Sequence, residues 1–93
     1  MSRITVHLII HGRVQGVGYR AWARSEARRL HLDGYVRNRS DGTVELVAAG
    51  PSAAVARLTD ACGSGPSAAQ VTSVQQLDAE DEVPHGFETR RTV

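Results

Sequence analysis

The chain contains one cysteine in 93 residues, Cys62, so it can form no internal disulfide and no zinc site built on several thiolates. That leaves the redox compartment open and gives no reason for an oxidising one. Aromatic residues make up 4% of the chain, and none stands in the N-terminal stretch "RITVHLIIH". This argues against a sheet surface that stacks nucleic-acid bases. The net charge of +1 is too small for a general nucleic-acid or membrane-binding field. No apolar run reaches membrane-spanning length, and the run within "MSRITVHLIIHGR" is too short for a secretory signal. A cytoplasmic protein is the expectation.

The composition is otherwise ordinary, with 41% apolar and 23% charged residues. The length suits a single domain, residues 1–93, burying roughly 60–65% of its unfolded surface around one core. Such a chain needs neither metal nor disulfide to fold, and a monomer is expected.

Ile4, Val6, Leu8 and Ile10 alternate with Thr5, His7, Ile9 and His11, the period-2 pattern of a strand. From Tyr19 the period changes: Tyr19, Ala23, Ala27 and Leu30 form one stripe of an amphipathic helix. Asp33-Gly34 then introduces the β-favouring "GYVRNR", Ser40 to Gly42 is a tight hairpin turn, and "TVELVAA" returns as a strand. Gly50-Pro51-Ser52 punctuates and caps a second helix with Val55, Leu58 and Cys62 on its apolar stripe, ending at Gly63. "VTSVQQL" predicts a further strand, "AEDEVPHG" a polar loop and "FETR" a last short strand.

The order β-α-β-β-α-β predicts an α+β, ferredoxin-like sandwich: an antiparallel sheet of four to five strands with two helices on one face. In that topology the first two strands run the same way with the third between them. The loop from Gly12 to Arg20 and the pair Arg37-Asn38 therefore belong at the same end of the sheet.

The loop "GRVQGVGYR", Gly12 to Arg20, runs directly into the first helix. Gly12, Gly16 and Gly18 let backbone N–H groups converge, and the helix start adds its own unpaired N–H groups. Together they make a cradle for a tetrahedral anion such as phosphate. Arg20 stands at the positive end of the helix dipole, where a cation is disfavoured by about 0.3–1 kcal/mol. A phosphate in the cradle would reverse that, giving the guanidinium two charge-assisted hydrogen bonds. On spacing alone the other reading, turn glycines with a solvated arginine, stays open. "GVGYRA" also fits a dinucleotide-binding fingerprint, but the chain is too short and wrongly ordered for that fold. No Gly-Lys-Ser/Thr follows, so the loop is not a Walker A motif.

"GRVQGVGYR" and "GYVRNRSDGTVEL", Gly34 to Leu46, together resemble the two motifs of the acylphosphatase family. The resemblance implies a cytoplasmic hydrolase that splits small acyl phosphates into a carboxylate and inorganic phosphate, with no metal and no cofactor. It implies that Arg20 binds the phosphate and Asn38 holds the attacking water. The loop residues Gln15, Gly16, Val17, Gly18 and Tyr19 would supply the amide cradle. The alternative it implies is a carbamoyl-phosphate or phosphate-binding module without its own turnover, as in the similar domains of hydrogenase-maturation proteins.

Three positions depart from the family pattern. His31 stands where glycine often closes the first helix, Tyr35 where tryptophan is frequent, and Thr89 where an apolar residue is expected. Elsewhere the bland readings win. His7, His11, His31 and His85 have no metal-site spacing and belong at the surface or at edges. Cys62 is core packing, Trp22 partial core packing, and Asp41-Gly42 turn chemistry. Arg37 and Arg39 are expected to be solvated, and Arg24, Arg28 and Arg29 to form a wet helix face.

Overall fold

A computed structural model of the chain describes residues 3–79 and 82–93. The N-terminal alternation becomes strand β1 (Arg3–Arg13), and the first helical stripe becomes α1 (Tyr19–Arg29). Strands β2 (Asp33–Asn38) and β3 (Val44–Pro51), helix α2 (Ser52–Cys62), and strands β4 (Gln70–Leu77) and β5 (Phe87–Thr89) follow. The sheet order is β4-β1-β3-β2-β5. β3 pairs antiparallel with both β1 and β2, so those two strands point the same way on either side of it. The short C-terminal strand does form. Because β5 pairs parallel with β2, the five-stranded sheet is mixed rather than wholly antiparallel. Of the expected polar loop "AEDEVPHG", Glu80 and Asp81 lie outside the described residues.

Alternation along the strands sorts side chains between the two faces. Val6, Leu8, Ile10, Val36, Val44, Leu46 and Ala48 face the helices, where they meet Tyr19, Ala23 and Ala27 of α1 and Val55, Leu58 and Cys62 of α2. Leu8, Ile10, Leu46 and Leu58 are completely buried, each worth about 1.5–3 kcal/mol relative to exposure. Burial pushes the Cys62 thiol up to about 11, so it is an inert core group. Helix α2 begins differently from expectation. Its cap position is Pro51 and no side chain caps it; Ser52 is already the first helical residue.

Helix α1 ends in a Schellman motif: Leu32 N–H donates to Ala27 C=O at 2.9 Å and His31 N–H to Arg28 C=O at 3.1 Å. That geometry needs a left-handed residue at position 31, and His31 takes it at φ 57°, where a β-carbon is disfavoured. His31→Gly should relieve this and raise stability by about 0.5–1 kcal/mol, after the added freedom of the unfolded chain is counted. Thermal unfolding should show an increase of several degrees in Tm.

The helix-free face of the sheet also buries apolar groups: Ile9, Tyr35, Val47 and Ala49 are all nearly inaccessible. Long polar side chains cover them in place of a second layer. The Arg90 guanidinium lies 3.9 Å from the Tyr35 ring centroid and that of Arg37 lies 5.3 Å away. Arg37 donates to Glu45 Oε1 at 2.5 Å, and His7 Nε2 lies 2.7 Å from Glu45 Oε2. Arg37 is therefore half-buried and paired rather than solvated. Burial alone would raise the Glu45 pKa, but the hydrogen bonds from Arg37 and His7 outweigh it and hold the carboxyl below its ordinary value near 4.5. A depressed folded-state pKa means the contribution is present above about pH 4.5 and lost as pH falls through the folded value. Glu45→Gln should thus cost about 1–2 kcal/mol at pH 7 and progressively less below pH 4.5. Urea unfolding of both proteins from pH 7 down to pH 3 reads that convergence.

Candidate active site

Three cross-strand partners place the site. Ile10, Val44 and Asn38 lie in one row across β1, β3 and β2, all on the helix side. The first two are core, and the third is the polar end of the row. Asn38 therefore faces the region under the start of α1, while Arg37 next to it faces the other way, toward Glu45. The C-terminus fixes the strand end further: Val93 N–H donates to Asn38 C=O at 3.1 Å, and Ser40 N–H to Val93 C=O at 2.6 Å. The turn itself is held by Asp41, whose Oδ1 accepts from Thr43 N–H at 3.0 Å and Thr43 Oγ1 at 2.6 Å. These two bonds lower the pKa of the exposed Asp41 carboxyl. Asp41-Gly42 is turn chemistry, as expected.

The glycine loop reaches the same end of the sheet. Gly12, expected in the anion cradle, instead lies within β1, which continues to Arg13. It stands at a register shift beside β4, where a β-carbon would collide with the backbone of Gln70 and Thr72. Its reason is close strand approach, not phosphate. Gly16 and Gly18 do shape the loop, at φ 73° and 80°, and no neighbour crowds either of them. Gly18 caps α1 in the left-handed region with no side-chain cap, and the first turn of the helix carries no acidic residue. Among the described residues, the N–H groups from Gln15 to Arg20 donate to no protein acceptor; the Trp22 N–H, bonded to Gly18 C=O at 3.0 Å, is the first that does. A row of unpaired amides at a helix start is the donor set an anion requires.

The expected cradle residues divide by role. The Gln15 side chain turns away from the cleft: its Nε2 donates to Arg39 C=O and to Thr43 C=O, each at 2.8 Å, strapping the loop to the turn that follows Asn38. The Val17 side chain packs against the core. The Tyr19 ring is buried edge-on to Trp22, with centroids 5.3 Å apart, and its hydroxyl donates to Cys62 C=O at 2.7 Å. Burial raises the Tyr19 pKa far above the ordinary tyrosine value, so the hydroxyl stays protonated. These three residues can offer an anion only their backbone amides.

Arg20 and Asn38 line one cleft of about 380 Å³, together with Gly16, Gly18 and Tyr19. Neither side chain forms a hydrogen bond or ion pair with the described residues. Two further residues line the cleft, neither of them expected there. Arg24, expected on a wet helix face, stands one turn beyond Arg20. Its i,i+4 spacing from Arg20 was the available signal. Thr89, where an apolar residue was expected, lies on β5 at the cleft wall, which accounts for its polarity. Arg28 is not simply solvated either, since its Nε donates to Phe87 C=O at 3.2 Å. Among the described residues, no three His, Cys, Asp or Glu side chains group as metal ligands. No described helix is long and apolar enough to cross a membrane.

Known proteins with these features were found by both sequence and structure. The acylphosphatase family model matches residues 6–89. An acylphosphatase of Azorhizobium caulinodans is 53% identical over 90 residues, covering 96% of this chain and 97% of that protein. The structure of an acylphosphatase from Coxiella burnetii superposes with a TM-score of 0.89 at 36% identity, covering 95% of this chain and 93% of that one. T. kodakarensis HypF contains the same fold, with a TM-score of 0.77 at 22% identity, but 97% of this chain corresponds to only 12% of that protein. With the family model matched from β1 to β5 and half the residues shared over nearly the full length of a relative, the chain belongs to the acylphosphatase family.

Proposed function

We propose that this enzyme hydrolyses the carboxyl–phosphate bond of small acyl phosphates by in-line attack of a water held by Asn38 on a phosphoryl group held by Arg20 and the loop amides. The observation that carries the reading is that Arg20 and Asn38 share one cleft with unpaired N–H groups at its edge. The amides and the guanidinium neutralise charge as it spreads over the equatorial oxygens, and Asn38 sets the direction of attack. A carboxylate leaves readily, so the reaction needs no dedicated general acid. An amide side chain orients a water without taking its proton, and no His, Asp or Glu lines the cleft among the described residues. The proton then passes to a phosphoryl oxygen of the substrate itself. The reading also has residues 1–93 acting as one monomeric domain in the cytoplasm.

The test is saturable hydrolysis of benzoyl phosphate by the full chain with a metal chelator present, the variants argued in the Discussion serving as controls. Binding of inorganic phosphate with no turnover of any acyl phosphate would favour the phosphate-binding module instead.

A further inference from the structure

Helix α1 carries four arginines after its first residue, and they fall into two groups. Arg28 donates to Phe87 C=O and Arg29 pairs with Glu26 at 2.6 Å. Arg20 and Arg24 form no hydrogen bond or ion pair with the described residues, although both line the cleft that holds Asn38. At i,i+4 they lie on one helix face about 6 Å apart along the axis, close enough for like charges to repel. A phosphoryl group on Arg20 and the amides accounts for one of these cations. It leaves the second unexplained.

The surroundings of Arg24 show what it can meet. A second hollow of about 290 Å³, lined by Ala21, Arg24, Ser25 and Arg28, adjoins the first and shares Ala21 and Arg24 with it. Among the described residues, neither hollow has a carboxylate in its lining. Beyond the cradle and Asn38, the described residues lining the first cleft are Val14, Ala21, Arg24 and Thr89, and among these Arg24 bears the only charge. An in-line displacement sends the leaving acyl group away from the attacking water. Among the described residues, an acyl group that occupies the rest of the cleft meets Arg24 as the one cation there that the phosphoryl group does not already use.

We propose that Arg24 is a specificity-determining residue, selecting acyl phosphates whose acyl group bears an anion of its own, a carboxylate or a second phosphate, within reach of the Arg24 side chain. This rests on the proposed hydrolysis and names its substrate class. Arg24 touches the acyl group and takes no part in the bond exchange. Because both hollows are open to water, the expected gain is about tenfold rather than a thousandfold.

The experiment compares kcat/KM for benzoyl phosphate with that for its 4-carboxy and 4-phosphono derivatives, rigid probes that place the second anion beyond the ring. The readout is the ratio of charged to uncharged substrate, from which any general loss of activity cancels. Wild type should prefer at least one charged probe about tenfold, and the larger of the two ratios identifies the anion. Arg24→Gln should lower that ratio about tenfold and Arg24→Glu should lower it further, while Arg24→Lys should retain most of it. Raising the salt from 0.05 to 0.5 M should shrink the wild-type ratio but not that of Arg24→Gln. Equal ratios in wild type and Arg24→Gln would overturn the assignment. Failure of wild type to hydrolyse all three probes would instead overturn the parent reading.

Discussion

Replacing Arg20 with alanine should lower kcat/KM for benzoyl phosphate by about a thousandfold, with kcat falling and KM rising together. In the proposed role, Arg20→Ala would lose two charge-assisted hydrogen bonds to the phosphoryl group in the ground state, and these would be strongest in the transition state, where the equatorial oxygens carry the most charge. A thousandfold is about 4 kcal/mol, within reach of one guanidinium placed on a transferring phosphoryl group. Arg20→Lys keeps a charge but not the planar fork, so it should recover part of the loss in KM and little in kcat. A variant within tenfold of wild type would remove Arg20 from the centre of the site.

The same substitution separates binding from folding. Arg20 has no protein partner among the described residues, and it stands at the positive end of α1. Its removal should leave the unliganded protein as stable as wild type, or more stable by a few tenths of a kcal/mol as the dipole repulsion is relieved. Inorganic phosphate should raise the Tm of wild type by mass action and leave that of Arg20→Ala almost unmoved. Activity and stability therefore change in opposite directions, which a folding defect cannot produce.

How far the chain could be read in advance depended on whether a residue's role is local. The alternation of Ile4 to Ile10 and the stripe Tyr19, Ala23, Ala27 are direct statements of period; Val6, Leu8, Ile10 and the helix stripe are buried as expected, while Ile4, near the strand start, is exposed. The meeting of the glycine loop with Asn38 needed only the topology, because β3 lies between two strands that run the same way. What could not be read comes from contacts between distant segments. Gly12 looked like its loop neighbours until β4 was seen against it. Gln15 looked like a cradle residue, but its side chain is occupied by carbonyls 24 and 28 residues away. Thr89 looked like a weak strand residue because its wall of the cleft exists only once β5 lies beside β2. Arg24 was the one miss with a local signal, since its spacing from Arg20 already placed it on the same helix face. The Schellman motif around His31 was legible as a departure from glycine, and the positive φ there is the physical form of that departure.

Asn38→Ala should lower kcat by about a hundredfold or more while KM changes no more than a few-fold, a different signature from that of Arg20. The asparagine is assigned to the water and not to the phosphoryl group, so its loss leaves ground-state binding nearly intact and removes the alignment of the nucleophile. The backbone argues that alanine will not disturb the fold. Asn38 is held through its main chain, by the pairing with Val44 and by Val93 N–H on its carbonyl, and its side chain has no partner among the described residues. Asn38→Asp is the sharper variant. It keeps the shape but places a negative charge beside a phosphoryl group that is already anionic, so KM should rise along with the fall in kcat. If Asn38 acted mainly by binding phosphate, the alanine variant would show that rise in KM as well, and phosphate would no longer raise its Tm. If the water is its ligand, phosphate protects Asn38→Ala against heat as well as it protects wild type, and only turnover is lost.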